Sequence, residues 1–285
     1  MTDVVRTVAA LRRAVASLRD NGQSIAFVPT MGNLHRGHLR LMDQALQAAD
    51  VCIASIYVNP MQFNQQADLA AYPRTPKADL EKLQQAGVQL LFMPDDQTMY
   101  PHGQHQQTFV EVPNLGEILE GEHRPGHFRG VATVVNRLFN LVQPDIAVFG
   151  KKDYQQLMLV RKMVADLAMP VTILAGETER ETDGLAMSSR NARLSPQQRR
   201  IASRLHEALV EIKNLVAKSS ENLQKSIEKT IKELEEAGFA VEYLSLRRRS
   251  DLLPPEPGDR QLVVLAAAVL GDVRLIDNLE TEKLS

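Results

Sequence analysis

The chain has 285 residues, with 33 Lys and Arg against 35 Asp and Glu, a net charge of −2, 44% hydrophobic residues and a single Cys. One Cys cannot build an intramolecular disulfide or a cysteine zinc site, so a disulfide-stapled secreted scaffold is excluded. Balanced charge and scarce aromatics (eight Phe, five Tyr, no Trp) speak against a protein that coats nucleic acid through a basic or stacking surface.

The first twenty residues are interrupted by Arg6, Arg12, Arg13 and Arg19. They read as an amphipathic helix and not as a signal peptide, which needs a continuous apolar core. Strand-length apolar runs follow at 24–29, 51–58, 88–94, 145–150 and 171–176. Helical spacing falls between them: 38–49, 77–87 ending on Gly87, 131–142, and 153–168. Strands alternating with helices predict a parallel sheet covered on both faces. Cys52, inside VCIASIYV, reads as a small core residue. Residues 95–128 break the rhythm and hold four of the seven His; an insertion of this length is more often functional or mobile than a plain connection.

After Ser195 and Pro196 the texture changes to two amphipathic helices and then three strand-like runs. Gly271 and Asp272 between two of these runs predict a hairpin. The run 262–270 is far too short for a bilayer span of about 20 residues and reads as a buried strand. Arg247, Arg248 and Arg249 read as a solvated face or turn. The expected architecture is α/β: a Rossmann-like doubly wound parallel sheet over 1–176 with a smaller C-terminal α+β domain over 177–285. These features fit a cytoplasmic protein with neither a membrane nor a nucleic acid as partner.

In open parallel sheets, ligands bind outside the carboxyl ends of the strands, so the segments that follow the strands carry the functional reading. The first is PTMGNLHRGH, with His35 and His38 three apart at a helix start, where free amides and the helix dipole favour an anion. Gly37 leaves room for a flat ring. Two imidazoles could donate to a polyphosphate; they could equally be polar caps or half of a metal site. The second is NPMQF, where Asn59 and Gln62 offer amides suited to hydroxyls and a carboxylate, or form an ordinary Asn-Pro turn. The third is 150–156, where Lys152 suits a phosphate and Asp153 either caps a helix or accepts from a ribose. The fourth is DGLAMSSRN, a polar turn or a mobile phosphate-closing loop.

The His-x-Gly-His arrangement is similar to the signature of the nucleotidylyltransferase superfamily. With PTMGNLHRGH, VNPMQF, DLAAYPRTPKADLEKL, RPGHFRGVATVV, LFNLVQPDIAVFGKKDYQQL, DGLAMSSRN and the tail GDVRLIDN in the same order, the chain resembles the pantothenate synthetase (pantoate–β-alanine ligase) family over most of its length. The resemblance implies ATP and Mg²⁺, a pantoyl-adenylate intermediate formed from (R)-pantoate, capture of the adenylate by β-alanine, and a homodimer. It implies ATP contacts at Met31, Gly32, Asn33, Leu34, His35, Arg36, Gly37 and His38, at Gly150, Lys151, Lys152 and Asp153, and at Glu179, Met187, Ser188, Ser189 and Arg190. The family's usual description makes His38 a proton donor; the broader statement is that His35, His38, Lys152, Ser188, Ser189 and Arg190 would carry the chemistry by holding phosphate charge as it shifts. Gln62 and Gln156, supported by Asn59, would hold pantoate, with Gln62 also near β-alanine. Arg124 and His127 would belong to a lid near the amine entry. Asp79 would lie near the magnesium.

Two positions depart from the family pattern. Lys151 replaces a usual Glu, and Glu179 stands where an apolar residue is common, its contact to adenine running through the backbone. Two other readings compete: a different adenylyl-transferring enzyme, which NPMQF and the paired glutamines argue against, and a noncatalytic nucleotide- or RNA-binding protein, which would carry a basic or aromatic appendage.

Overall fold

The structure is a computed structural model, described here for residues 2–64, 66–218 and 222–283. The chain forms two compact units: Met1–Gly150 with Gln156–Glu177, and Lys151–Gln155 with Thr178–Ser285. The short segment Lys151–Gln155 groups with the second unit, so no single cut in the chain separates the two.

In the first unit the elements run β1 (Asp3–Val5), α1 (Val8–Asp20), β2 (Ile25–Thr30), α2 (Arg36–Ala48), β3 (Val51–Ile56), α3 (Gln66–Ala71), α4 (Pro76–Gln85), β4 (Leu90–Phe92), α5 (Asp96–Met99), α6 (Glu120–His123), α7 (His127–Val142), β5 (Ile146–Gly150), α8 (Tyr154–Asp166, its first two residues in the second unit) and β6 (Thr172–Gly176). All pairings are parallel, in the order β1-β4-β3-β2-β5-β6. The sheet therefore winds outward in both directions from β2 and β5, the switch point beside which open α/β sheets bind ligands. Residues Ile25, Ala26, Phe27 and Val28 of β2 are all buried, as a strand covered on both faces requires. Cys52 lies fully buried on β3, and burial pushes its thiol up to about 12, so it is an inert core group.

Two local features differ from the sequence reading. The N-terminus begins with a strand: β1 pairs with β4 in the register Asp3↔Leu90, and Thr2 Oγ1 donates to the Val88 carbonyl at 2.6 Å. The helix expected there starts only at Val8, capped by Thr7, whose Oγ1 accepts from the Ala10 amide. The insertion 95–128 is packed at many points, with Tyr100, Val112, Leu115, Leu119 and Glu120 all buried. Within it Gly121 lies against the Gly116 carbonyl so closely that a Cβ would not fit.

The second unit contains α9 (Pro196–Ile201), α10 (Arg204–Ala217), α11 (Leu223–Glu236), β7 (Phe239–Arg248), β8 (Gln261–Leu270) and β9 (Val273–Glu282). The three strands form an antiparallel sheet, and the β8–β9 hairpin closes through Gly271 and Asp272, with Leu270 opposite Val273. Leu205, Leu209 and Ile212 of α10 pack against Val264, Ala266 and Leu275 of the sheet in one core. The Arg triplet, read as a solvated face or turn, is half-buried and runs from the end of a strand into a turn at Arg249. Arg247 and Arg248 end β7, Arg248 pairs with Asp251 at 2.9 Å and Glu256 at 3.2 Å, and Arg249 pairs with Glu280 at 3.0 Å.

Candidate active site

Between β2 and α2 the chain makes a sharp turn. Gly32 has φ +80° and Asn33 φ +50°. A Cβ on Gly32 would stand 3.0 Å from the Ile56 side chain and 3.1 Å from Asp79 Oδ2, so this position requires glycine on two counts. Asp79, on α4 and 1% exposed, accepts the Asn33 amide on one oxygen and the Leu34 amide on the other, each at 2.8 Å. Lys82, one turn further on, donates to the Leu34 carbonyl at 2.6 Å. The carboxylate read as lying near magnesium thus has each oxygen holding one amide of the loop backbone. Among the described residues, no group of three or more His, Cys, Asp or Glu is arranged to hold a metal ion.

This fixed turn delivers His35 as the N-cap of α2 and His38 three residues on. Their rings lie 4.0 Å apart, tilted by 42°. The His35 backbone amide donates to His38 Nδ1 at 3.3 Å. A nitrogen that accepts carries no proton, so in this contact the His38 ring is left with Nε2 as its donor. Arg36 and Gly37 form the first turn of the same helix.

After β3 the structure gathers a second set. Asn59, 1% exposed, opens the short 3₁₀ turn Pro60–Gln62. Its Oδ1 accepts from the Tyr100 hydroxyl at 2.8 Å, and its Nδ2 donates to Gln62 Oε1 at 3.2 Å and to the Gly130 carbonyl at 3.1 Å. Asn59 is therefore a hub that orients Gln62. The Gln62 Nε2 reaches Met31 Sδ at 3.2 Å, which brings the first two segments together. Arg124 and His127 lie on the other side of the same turn. Arg124 Nη2 donates to the Gln62 carbonyl at 3.2 Å, and His127 Nδ1 donates to it at 2.8 Å. Because Arg124 Nη1 also donates to His127 Nε2 at 3.2 Å, the neutral Nδ1–H tautomer satisfies both partners. These two residues, expected in a lid, are braced on the backbone of Gln62.

Gly130 makes this packing possible. A Cβ there would sit 2.5 Å from the Met61 carbonyl oxygen and 2.9 Å from the Gln62 nitrogen. Sequence reasoning missed Gly130 and Tyr100; the glycine inside the apolar run of α7 was the available signal, since such a glycine marks close backbone approach. Gln156 lies half-buried in the first turn of α8.

In the second unit, Lys151–Asp153 form a 3₁₀ turn directly after Gly150, the last residue of β5. Lys151 Nζ pairs with Glu280 at 3.1 Å, and Lys152 Nζ stands 3.7 Å from Asp153. Asn278 on β9 donates to the carbonyls of Lys151 at 2.8 Å and Lys152 at 3.0 Å. The segment after β6 doubles back on itself. The Glu179 carbonyl accepts the Met187 amide at 2.9 Å, and Arg180 bridges to Ala186. The backbone carbonyl of Glu179 is thus already engaged. Ser188 then caps the 3₁₀ turn Ser189–Arg193, its Oγ accepting from the Arg190 amide at 3.2 Å.

A doubly wound parallel sheet with polar, tightly braced turns at the carboxyl ends of its inner strands defines the class: a Rossmann-like α/β protein with its candidate site at the switch point. Within that class the chain belongs to the pantoate-beta-alanine ligase family, whose model matches residues 3–280. It is 51% identical over 276 residues to the pantothenate synthetase of Shewanella loihica, covering 97% of this chain and 98% of that protein. It is 52% identical over 277 residues to the pantothenate synthetase of Pseudomonas putida, covering 97% and 96%. The solved pantothenate synthetase of Thermus thermophilus superposes with a TM-score of 0.90 at 43% identity, covering 98% and 99% of the two chains. The pantoate-beta-alanine ligase of Francisella tularensis, complexed with beta-gamma ATP and beta-alanine, gives 0.83 at 32%, covering 98% and 97%.

Proposed function

We propose that this chain condenses (R)-pantoate with β-alanine, at the expense of ATP, to give pantothenate, AMP and diphosphate through a bound pantoyl adenylate. The family match over residues 3–280 carries this reading. The braced loops at the strand ends support it, since each candidate segment is held by buried or part-buried hydrogen bonds.

In the first step a pantoate carboxylate oxygen attacks the α-phosphorus of ATP, a new P–O bond forms, and the bond to diphosphate breaks. Negative charge then moves onto the diphosphate. The Nε2–H of His38, the amides at the start of α2, Lys152, Ser188, Ser189 and Arg190 are the groups that meet that charge. Packed 4.0 Å from the tilted ring of His35, His38 acts as a fixed hydrogen-bond donor. Protonating it on Nδ1 would break the bond from the His35 amide, so an imidazolium acid is not required. Gln62, oriented by Asn59, and Gln156 hold the pantoate hydroxyls and carboxylate. Asp153 meets the ribose, and the backbone near Glu179 and Met187 meets the adenine. In the second step the free amine of β-alanine attacks the acyl carbon, a C–N bond forms, AMP leaves with its electron pair, and the amine gives up a proton.

ATP is the substrate that supplies the activating group. Asp79, each of whose oxygens accepts one loop amide and keeps a further lone pair, is the residue that would face a magnesium ion bound with the nucleotide. Magnesium accompanying the nucleotide would be held by its phosphates and by water. The division of labour that goes with this reading is an ATP- and pantoate-binding domain over residues 1–176 and a C-terminal lid domain over 177–285, in a cytoplasmic homodimer; light scattering on the purified chain tests the dimer.

The test of the reaction is isotope exchange. The purified chain should catalyse exchange between diphosphate and ATP only when pantoate is present, and should release AMP and pantothenate only when β-alanine is added. Exchange supported by another carboxylic acid, with none supported by pantoate, would overturn the reading.

A further inference from the structure

The sequence GDVRLIDN at the end of the chain has so far contributed only a hairpin and a strand. Two neighbouring residues within it, Asp277 and Asn278, are both buried on β9. Each holds a different one of the second unit's two candidate nucleotide segments.

Asn278 Nδ2 donates to the carbonyls of Lys151 and Lys152 at 2.8 and 3.0 Å. One amide group thus bridges two successive carbonyls of the turn that presents Lys152 and Asp153. Asp277 receives Arg180 in a two-pronged contact, Nη1 to Oδ2 at 2.7 Å and Nη2 to Oδ1 at 2.9 Å. Arg180 also donates to the Gly184 carbonyl at 3.0 Å, so the guanidinium closes the doubled-back segment that leads into Met187, Ser188, Ser189 and Arg190. His206 stands 3.4 Å from Asp277 Oδ2 and occupies the space where Gly184 has no side chain; a Cβ there would lie 2.5 Å from its ring. The two anchors are tied to each other: the Asn278 amide donates to Asp277 Oδ1 at 2.7 Å, and Arg180 Nη2 reaches the Asn278 carbonyl at 3.4 Å.

We infer that Asp277 and Asn278 are positioning residues for nucleotide binding, which set the Lys151–Asp153 turn and the 187–190 segment in one fixed register within the second unit. This inference rests on the proposed function, which supplies the nucleotide roles of those two segments. The physical reason is preorganisation. Two loops that both meet one triphosphate bind it best when their spacing is set before the ligand arrives, because the ordering cost is then not charged to binding. A buried dipeptide on a strand fixes that spacing more rigidly than contacts between the loops would.

The experiment compares Asn278→Asp, which is isosteric but replaces the bridging donor by an acceptor facing two carbonyls, with Arg180→Lys, which keeps the charge but cannot grip a carboxylate with two prongs. Calorimetric titration with ATP, and separately with pantoate, is read beside the unfolding temperature. Each variant should bind ATP about tenfold more weakly, the size of one to two lost hydrogen bonds. Each should leave pantoate affinity unchanged within about twofold. The double variant should lose less than the product of the single losses, because both act through one anchor. ATP affinity held within about twofold, or ATP and pantoate affinity falling together with the unfolding temperature, would overturn the inference. Should Asn278→Asp fail to fold, Arg180→Lys carries the same comparison. Pantoate-dependent exchange by the unaltered chain tests the underlying reaction separately, so failure of the reaction and failure of the anchor are read from different measurements.

Discussion

Asp79→Asn separates two accounts of one buried carboxylate. In the folded chain both oxygens accept backbone amides, from Asn33 and Leu34, at 2.8 Å in a site 1% exposed. The variant keeps one carbonyl acceptor and turns an N–H of its own toward the other amide. A hydrogen bond to a charged group contributes about 1.5–3 kcal/mol, and stranding a buried donor costs about 1–3 kcal/mol. Weakening one bond and stranding the other amide therefore removes about 3 kcal/mol, which for a unit of this size lowers Tm by about 6–12 °C. The two amides belong to the loop that leads into His35 and His38, so the KM for ATP in the exchange reaction rises along with the loss of stability. Thermal unfolding and exchange kinetics over a magnesium titration read both effects. An unchanged Tm combined with a shifted magnesium requirement would refute the loop-anchor account and return Asp79 to the metal.

His38→Ala and Lys152→Ala each remove one group that meets the developing phosphate charge, and each should lower pantoate-dependent exchange by about 10²–10³; a variant that keeps full adenylate formation removes its residue from that role. Gly130→Ala places a Cβ 2.5 Å from the Met61 carbonyl oxygen and should cost about 1–3 kcal/mol through overpacking, seen as a lower urea midpoint; an unshifted midpoint would count against the close approach. Burial works to raise the Asp277 carboxyl, but the His206 ring beside it and the two-pronged bond from Arg180 outweigh it and hold the group below its ordinary 3.8. Its stabilisation is therefore complete above that ordinary value and is lost as pH falls through the depressed folded one. Asp277→Asn should flatten the acid limb of the urea midpoint below about pH 4, and an acid limb identical to that of the unaltered chain would assign it to other carboxylates. Lys151→Glu sets like charges together where Lys151 and Glu280 now pair at 3.1 Å, both partly exposed, so it should destabilise by only about 0.5–1 kcal/mol. Adding Glu280→Lys should recover only part of that loss, because Glu280 also pairs with Arg249 at 3.0 Å; full recovery would mean that the Arg249 contact contributes nothing to the midpoint.

The parallel sheet was legible because its strands are apolar on both faces and separated by helical periods. β2 and β3 alternate with α2 in the way the spacing of apolar residues dictates. β1 was not legible, because three residues give no period to read, and its place in the sheet comes from pairing with β4 some 87 positions away, as in Asp3↔Leu90. The paired imidazoles were visible from their three-residue spacing at a helix start. What holds them was not, since Asp79 lies 45 positions from the Leu34 amide it accepts. The same limit applies to Arg124 and His127. The resemblance implied a lid there; what residue identity could not show is that both side chains donate to the Gln62 carbonyl, more than 60 positions away, since a backbone carbonyl leaves no trace in it.

Position 151 shows why a departure from a family's pattern can be tolerated next to a nucleotide segment. Read from sequence, a Lys in place of Glu adds a cation beside Lys152 and threatens to change the field that the phosphates meet. In the folded chain Lys151 Nζ faces Glu280, whose other oxygen accepts from the Tyr154 hydroxyl at 2.9 Å and pairs with Arg249 at 3.0 Å. Burial works to raise the Glu280 carboxyl, but the hydrogen bonds from Lys151 and Tyr154 outweigh it, so it stays ionised and offsets the added cation. The contacts that fix the turn are indifferent to the exchange. Asn278 grips the carbonyls of Lys151 and Lys152, and a carbonyl is the same group whichever side chain the residue bears. The side chain at 151 is thus free to vary with its partner at 280, while the backbone it belongs to, and with it the placing of Lys152, is held by a residue more than 120 positions away.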